Sequence, residues 1–522
     1  MKTLAYLMIP FVAAMSLVGC SKQINRPGSA QDTVTTISKI AGIDRTPVTT
    51  KKVDVALPGP TWLRNAVIAE IPIRGFAMTN VAGITGNGQG TYKGVTGKLD
   101  LLKSLGINVL CLYSVYDHTE ITSLYALNYD APSSALGTIA DIKELCTEAH
   151  KRGMYVISNT NYYGVDPSSP LRTQHPDWFL NQDLYGQPKF NFNNTQAFEY
   201  VVNSHVNWCM DVGLDGFRID CGVLLWEKTV FDAIITRCNQ QGKRILLAPE
   251  QVHLTGHIQG SGFLHTNIIW DMTIPQAAPT DISPISNSGT TSDPYRAVDW
   301  SSHNTGAEYD LPNRYCAVNL LTNSVNCGRT GAYRLRGSRF VYGHNMLFGI
   351  HVPWFMVGEA INATHLMTPA QNGGGWSKML HTYIDWTDTI SQADVLTDYR
   401  KIAKIKADNS DVFNFNQAEA NLVNVPCTKN IATDVHPYAR YIPGQKALIV
   451  IGNDNTDNGI TFTLQIPLVS MGLNQFNNFK VTDLWTNTVT TVPKSQLSSY
   501  SILVPKDGAA NGGIRVLKIE GI

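Results

Sequence analysis

The chain has 522 residues, of which 43% are hydrophobic and 16% are charged. This length predicts two or three domains, and the composition favours a well-buried globular body over a disordered chain. Lys and Arg number 41, Asp and Glu also number 41, and no basic stripe stands out, so we expect no nucleic-acid partner.

Residues 1–20 have the pattern of a targeting segment. A basic start is followed by the almost unbroken apolar run Leu4–Val18, which is too short for a comfortable transmembrane helix. The run reaches Leu17-Val18-Gly19-Cys20, which resembles a bacterial lipobox and implies lipidation of Cys20. The alternative is an ordinary signal peptide with an incidental cysteine. We therefore expect a lipid anchor in the cell envelope. Ser21-Lys22 places no acidic residue beside Cys20, and this pattern fits an outer-membrane destination.

Residues 21–60 are polar and rich in Thr, with four prolines, and they predict a tether that lifts the globular part off a membrane. Within residues 61–415, short apolar runs alternate with helical segments, which is typical of βα units around a parallel sheet. One such helix opens at Gly137-Thr138-Ile139 and closes at Lys151-Arg152-Gly153. The predicted strands are Val67–Ile71, Val109–Leu112, Tyr155–Ser158, Gly216–Asp220, Ile245–Pro249, Ile268–Trp270, Ala297–Trp300 and Trp354–Val357.

Eight strands joined by helices predict an α/β fold of the (β/α)8 TIM-barrel type with long loops. The alternative is a doubly wound open sheet, but the first strand lacks the glycine-rich phosphate loop of that fold. Residues 425–522 predict a C-terminal antiparallel β-sandwich without site chemistry, because short β-like runs alternate with Asn, Gly, Asp and Pro. The β-like runs are Tyr438–Tyr441, Ala447–Gly452, Ile460–Ile466, Lys480–Trp485 and Ile514–Ile519.

The chain has nine cysteines, and if Cys20 carries lipid, eight are left in an oxidising compartment where disulfides can form. Cys316 and Cys327 form the closest pair outside the predicted barrel elements and are the best candidates for a disulfide. Cys111 and Cys221 lie on predicted strands, and we expect both to pack as small apolar groups. No CxxC or Cys/His spacing is present, so we expect no zinc.

Two carboxylates end consecutive predicted strands, at the end of the barrel where active residues lie. Arg218 and Asp220 share one strand face, and Glu250 ends the next strand. Glycoside cleavage needs one ionised carboxylate as nucleophile and one protonated carboxyl group as acid. Arg218 would hold Asp220 in its charged form, and a more apolar wall would keep Glu250 protonated. The alternative is that both acids form salt bridges at the barrel mouth.

This region resembles glycoside hydrolase family 13, the α-amylase family. Gly216–Asp220 looks like the second signature of the family and would make Asp220 the nucleophile, while Glu250 matches the acid/base. Gly349–Glu359 is similar to the last-strand segment of the family. The resemblance implies a retaining α-glycosidase or transglycosidase that acts on α-linked, glucan-like oligo- or polysaccharides. It also implies calcium near the third-strand loop, but the residues there do not support a metal, and we expect no cofactor.

The chain departs from the family at three signatures. The first signature carries an Asp and, five residues on, a His, where this chain has Asn159 and Gly164. A Lys-His pair after the nucleophile is replaced by Val223-Leu224. The fourth signature is His-Asp, whereas the best match in this chain is His303-Asn304.

Four residues are predicted to bind substrate. Tyr125 would stack beneath a sugar, with core packing as its alternative role. His303 and Asn304 would hydrogen-bond sugar hydroxyls, and Asn159 would line the same site. The departures leave two other hypotheses open: a glycan-binding protein with weakened catalysis, and a structural or partner-binding barrel.

Overall fold

The computed structural model describes a large part of the chain, with gaps. The described residues are 60–76, 90–113, 115–118, 125–184, 186–219, 228–249, 339–347, 353–356, 386, 390, 393–413, 422–432, 437–453 and 455–522. The predicted signal peptide with Cys20, nearly all of the tether and the Cys316–Cys327 pair lie outside these ranges. Within them, no helix is long and apolar enough to cross a membrane.

A six-stranded parallel sheet forms the centre of the first part of the chain. In chain order its strands are β1 (Ile68–Ile71), β2 (Val109–Leu112), β5 (Tyr155–Thr160), β8 (Gly216–Ile219), β9 (Leu246–Pro249) and β10 (Trp354–Met356). They lie in the order β10-β1-β2-β5-β8-β9, so the last strand pairs with the first. Six of the eight predicted strands are therefore confirmed. The predicted strands Ile268–Trp270 and Ala297–Trp300 lie outside the described residues.

Strands β1, β2, β5 and β8 alternate between two buried faces, as the two-residue period of a strand requires. We call one the helix face, because its side chains pack in the large core shared with the helices. Its members include Ala69, Ile71, Leu110, Leu112, Val156, Phe217 and Leu247. We call the other the inner face, and its apolar members form a separate small cluster. That cluster contains Ala66, Ile68, Val109, Cys111, Ile157 and Leu246.

Helices and two hairpins connect the strands. The helices are α1 (Ile73–Phe76), α2 (Tyr92–Thr96), α3 (Leu99–Ser104), α4 (Ile139–Lys151), α5 (Leu171–Gln174), α6 (Thr195–Asn207), α7 (Lys228–Gln240), α8 (Arg339–Leu347), α9 (Ala393–Asp408) and α10 (Ser410–Phe413). The hairpins pair β3 (Tyr116–His118) with β4 (Ala126–Pro132), and β6 (Phe179–Leu184) with β7 (Gln187–Phe190). Helix α4 begins where the sequence predicts, because Thr138 and Asp141 form a capping box.

Two antiparallel sheets form the C-terminal part of the chain. The six-stranded sheet has the order β11-β13-β14-β19-β16-β17, and the three-stranded sheet has the order β12-β15-β18. Their strands are β11 (Leu422–Asn424), β12 (Cys427–Lys429), β13 (Tyr438–Ile442), β14 (Lys446–Gly452), β15 (Ile460–Leu464), β16 (Asn478–Asp483), β17 (Thr488–Pro493), β18 (Tyr500–Val504) and β19 (Ile514–Gly521). Side chains of both sheets share one buried core, among them Ile449, Phe462 and Leu517.

The opposite face of the six-stranded sheet packs on helix α8, and α8 in turn packs on α9. Leu448, Val450 and Val516 join the same core as the helix face of the parallel sheet. Tyr342 of α8 stacks on Tyr399 of α9, with ring centroids 3.9 Å apart. The two parts therefore share a continuous apolar core.

The amino-terminal ends of the parallel strands are fixed by Asp215, which is 5% exposed. Its Oδ2 accepts a hydrogen bond from the Val156 N–H at 2.8 Å and lies 2.8 Å from the Nε2 of His150. The Nζ of Lys243 lies 3.6 Å from its Oδ1. This end of the sheet is thus held together by charge and hydrogen bonds, which fits the stabilising role of this end in such folds.

Strand β8 begins at Gly216, where the backbone permits no side chain. Its φ is +146°, and an added Cβ would lie 1.9 Å from the carbonyl oxygen of Leu246 on β9. Gly153 also has a positive φ, of +68°, but an added Cβ would meet no atom within 4 Å. A side chain at Gly153 would therefore meet backbone strain alone, whereas one at Gly216 would also collide with β9.

We expect Gly216→Ala to destabilise the protein by at least about 3 kcal/mol, because β8 and β9 must separate. Gly153→Ala is the matched control and should cost only about 1 kcal/mol, from its left-handed backbone alone. Thermal unfolding followed by circular dichroism measures both variants. Equal losses in the two variants would show that the close approach of β8 and β9 is not tight.

Candidate active site

The inner face carries a buried cation near the carboxyl ends of its strands. Arg218 on β8 is 2% exposed and Asn159 on β5 is 3% exposed. The two residues are register partners, and the Arg218 Nη1 donates a hydrogen bond of 2.9 Å to the Asn159 Oδ1. The predicted Arg218 and Asn159 are thus brought together. Since an amide oxygen carries no charge, this bond orients the guanidinium without neutralising it.

A buried glutamate that the sequence analysis missed lies on the same face. Glu70 on β1 is 2% exposed and is the register partner of Cys111 on β2. Burial raises the pKa of the Cys111 thiol well above its usual value, Glu70 raises it further, and Arg218 lowers it. Both charges therefore act on one inner-face thiol. The sequence feature that could have revealed Glu70 is its acidic side chain within the otherwise apolar strand β1.

Strands β8 and β9 end one residue before the two predicted carboxylates along the chain. The last described residues of β8 and β9 are Ile219 and Pro249, and they are register partners. Asp220 and Glu250 each follow by one residue and lie outside the described residues, so their roles stay predictions. The same holds for His303 and Asn304.

Tyr125 lies immediately before strand β4 and is half-buried. The hairpin of β3 and β4 follows β2 and is joined to the loop that follows β5. The N–H of Asp166 donates to the Ala126 carbonyl oxygen at 2.8 Å, and the Ser169 hydroxyl donates to the Leu127 carbonyl oxygen at 2.5 Å. Tyr125 is therefore on loops at the carboxyl ends of β2 and β5, and its stacking role stays a prediction.

Gly164 is covered by strand β7. An added Cβ would lie 2.6 Å from the Pro188 carbonyl oxygen. The flanking Val165 N–H donates to the same oxygen at 3.2 Å, and the Phe190 N–H donates to the Tyr163 carbonyl oxygen at 2.9 Å. The packing of β7 thus requires glycine at position 164, where the family has His, because no side chain fits there.

A buried histidine supports the carboxyl end of β5 from the helix face. The Nδ1 of His205 lies 2.7 Å from the Val201 carbonyl oxygen, which only accepts, so Nδ1 carries the proton. Its Nε2 then accepts a hydrogen bond of 2.8 Å from the Thr160 hydroxyl. Burial lowers the pKa of His205 to about 4, although its bond to Val201 opposes this. A neutral imidazole thus fixes the strand end next to Asn159.

The described residues contain no group of three or more His, Cys, Asp or Glu side chains that could hold a metal ion. Their five cysteines, at positions 111, 146, 209, 238 and 427, are free thiols. Cys111 is buried on the inner face, which confirms that it packs as a small group.

A family profile described as "Alpha amylase, catalytic domain" matches residues 73–161. The alpha-glucosidase of Pediococcus pentosaceus is 28% identical over 201 residues, which cover 30% of this chain and 35% of that protein. Alpha-amylase 2 of Dictyoglomus thermophilum is 26% identical over 189 residues, which cover 31% of this chain and 32% of that protein. The chain thus spans about a third of the length of these relatives.

The likeness to solved structures extends much further along the chain. The alpha-amylase of Geobacillus thermoleovorans, complexed with acarbose, matches with a TM-score of 0.61 and 16% identity over 88% of this chain and 99% of that chain. The Anoxybacillus alpha-amylase matches with a TM-score of 0.62 and 15% identity. At such identities the likeness establishes the fold alone. The profile and the relatives thus support the α-amylase catalytic-domain family, and the solved structures show the shared fold.

We expect His205 to make the protein less stable as the pH falls from 6.5 to about 4. In that range the unfolded chain binds a proton that the folded chain excludes, whereas above pH 6.5 both states are neutral. The loss is up to ~1.4 kcal/mol per pH unit, or about 3 kcal/mol in all.

Urea unfolding of the wild type and of His205→Gln between pH 4.5 and 7.5 measures this slope. The variant should lose the contribution, while His175→Gln, a half-buried histidine stacked on Trp178, should leave it in place. Parallel curves for wild type and His205→Gln would contradict the assignment.

Proposed function

We propose that the chain is a glycoside hydrolase of the α-amylase type that acts on α-linked glucans by a retaining mechanism. The observation that carries the proposal is the buried Arg218 on the inner face of β8, bonded to Asn159 and two residues before Asp220. The profile match, the glucosidase and amylase relatives, and the shared fold support the same reaction class. We also propose that the sheet closes into a (β/α)8 barrel, since β10 already pairs with β1.

The register of β8 and β9 supports a paired-carboxylate mechanism. Ile219 faces Pro249 across the two strands, so Asp220 and Glu250 are the next positions along the chain. Neighbouring strands lie about 4.8 Å apart, and retaining glycosidases keep their carboxyl groups about 5–5.5 Å apart. We therefore expect a spacing that suits direct attack by the Asp220 carboxylate and leaves no room for a water molecule between that carboxylate and the anomeric carbon.

In the proposed reaction, the Asp220 carboxylate attacks the anomeric carbon and a covalent glycosyl-enzyme forms. Glu250 donates a proton to the departing oxygen. It then takes a proton from water, or from an acceptor sugar, as that oxygen attacks and Asp220 leaves. Arg218 keeps Asp220 ionised between turnovers, because a nearby cation favours a charged carboxylate.

The departures from the family pattern set the expected rate. Replacing the third acid by Asn304 removes preorganised charge stabilisation, which is typically worth on the order of 3–4 kcal/mol, or about 10²–10³ in kcat. Asn304 and His303 are proposed to bond sugar hydroxyls, and Tyr125 to stack on a ring. We propose that Asn159, whose oxygen accepts from Arg218, acts mainly by orienting that guanidinium.

Asp220→Asn and Glu250→Gln should each lower turnover of α-glucans by at least about 10³-fold, because each removes half of the two-carboxylate machinery. Mass spectrometry of the products from a panel of α-glucans measures this. Asp211→Asn changes an exposed acid on the turn after α6 and is the matched control.

The outcomes separate the hypotheses. Products that persist in both variants would contradict the mechanism. An inactive wild type that binds oligosaccharides in calorimetry would instead identify a glycan-binding protein with weakened catalysis. A wild-type protein that shows neither turnover nor oligosaccharide binding would favour a structural or partner-binding barrel.

We further propose that Cys20 is lipidated and anchors the protein in the cell envelope, at the outer membrane. The lipobox-like Leu17–Cys20 motif supports this. Wild-type protein should sediment with membranes and Cys20→Ser should move to the soluble fraction, since the variant lacks the acylated thiol. Cys427→Ser, in the C-terminal sheets, is the matched control. Soluble wild-type protein with an unmodified N-terminus would favour an ordinary signal peptide.

A further inference from the structure

We propose that Glu70 is a positioning residue of the active site: it supplies the buried negative charge that holds Arg218 in place. This inference rests on the proposed function of the same site. It assigns a role to a residue of the first strand, whereas the reacting carboxylates are expected on the fourth and fifth predicted strands.

Burial gives the first argument. Glu70 and Arg218 are each 2% exposed, so each charge has lost nearly all of its contact with water. An isolated buried charge costs several kcal/mol, and such groups persist only when an opposite charge and hydrogen bonds compensate them. Among the described residues of the inner face, Glu70 and Arg218 are the two charged side chains, and their signs are opposite.

The strand register gives the second argument. Glu70, Cys111 and Ile157 lie at one level across β1, β2 and β5. Gly216 continues this level on β8, and Arg218 lies one inward position further along the same strand. A long guanidinium side chain on that face can lean back towards the level of Glu70. The thiol of Cys111, at that level, feels both charges in opposite directions.

The neutral residue at position 159 gives the third argument. The Asn159 Oδ1 accepts a hydrogen bond from Arg218 but brings no charge. A carboxylate at this position would have supplied both the acceptor and the compensation. In this chain the two tasks are therefore divided: Asn159 orients the guanidinium, and Glu70 balances its charge.

This division predicts how the nucleophile responds. Arg218 stabilises two carboxylates, those of Glu70 and Asp220. Removing the negative charge of Glu70 removes its repulsion of the Asp220 carboxylate, so the pKa of Asp220 and the acidic limb of the pH–rate profile should move to lower pH. Because Arg218 is then less firmly held, kcat should also fall, by about tenfold or more.

The test is a charge-relocation cycle with Glu70→Gln, Asn159→Asp and the double variant. Glu70→Gln removes the charge with little change in shape, and we expect its Tm to fall by about 5 °C or more. Asn159→Asp returns a carboxylate to Arg218, so the double variant should regain most of the lost Tm. Its acidic limb should also return towards the wild-type position. Glu144→Gln, an exposed isosteric change on α4, is the control and should leave Tm and the profile unchanged.

The Tm cycle does not depend on turnover, so its result is separate from that of the proposed function. Coupled Tm values in a protein that cleaves no glucan would support the Glu70–Arg218 pair and contradict the hydrolase. Additive losses, with no recovery in the double variant, would overturn the role of Glu70 even if the protein hydrolyses glucans. An unchanged Tm in Glu70→Gln would overturn it as well.

Discussion

The burial of one guanidinium inside the parallel sheet constrains much of the site around it. Arg218 must be bonded on the face where it lies, because a buried cation without acceptors is too costly to keep. Strand β5 supplies the amide oxygen of Asn159 only because the two strands are in register at that level. That register begins at Gly216, where β8 and β9 approach too closely for any side chain. Charge, register and backbone conformation are thus parts of one arrangement.

The sequence predicts those features that depend on local patterns. The six strands follow from short apolar runs between helical segments, and the start of helix α4 follows from Gly137-Thr138-Ile139. Strand β17 was missed because four of its six residues are exposed, so it has no apolar alternation. Glu70 was missed for a different reason: its importance depends on what faces it from strands far away in the chain.

The two departures in the first signature differ physically. Position 164 is closed, since the Pro188 carbonyl lies where a side chain would begin, and strand β7 is hydrogen-bonded on both sides of it. Position 159 is open to exchange, because Asn and Asp have nearly the same shape. The first departure is therefore part of the architecture of the loop after β5. The departure at position 159 changes only the charge, and a carboxylate elsewhere on the inner face can compensate for the lost negative charge.

The contrast between the two ends of the sheet explains why such compensation is possible. At the amino-terminal ends, Asp215 ties β5 and β8 together through the Val156 N–H, with His150 and Lys243 beside it. The register is thus fixed independently of the charges near the carboxyl ends. A carboxylate can then be exchanged between positions on the inner face without shifting the strands. Under the proposed Glu70–Arg218 pair, the neutral Asn159 would accompany such a redistribution of charge around Arg218.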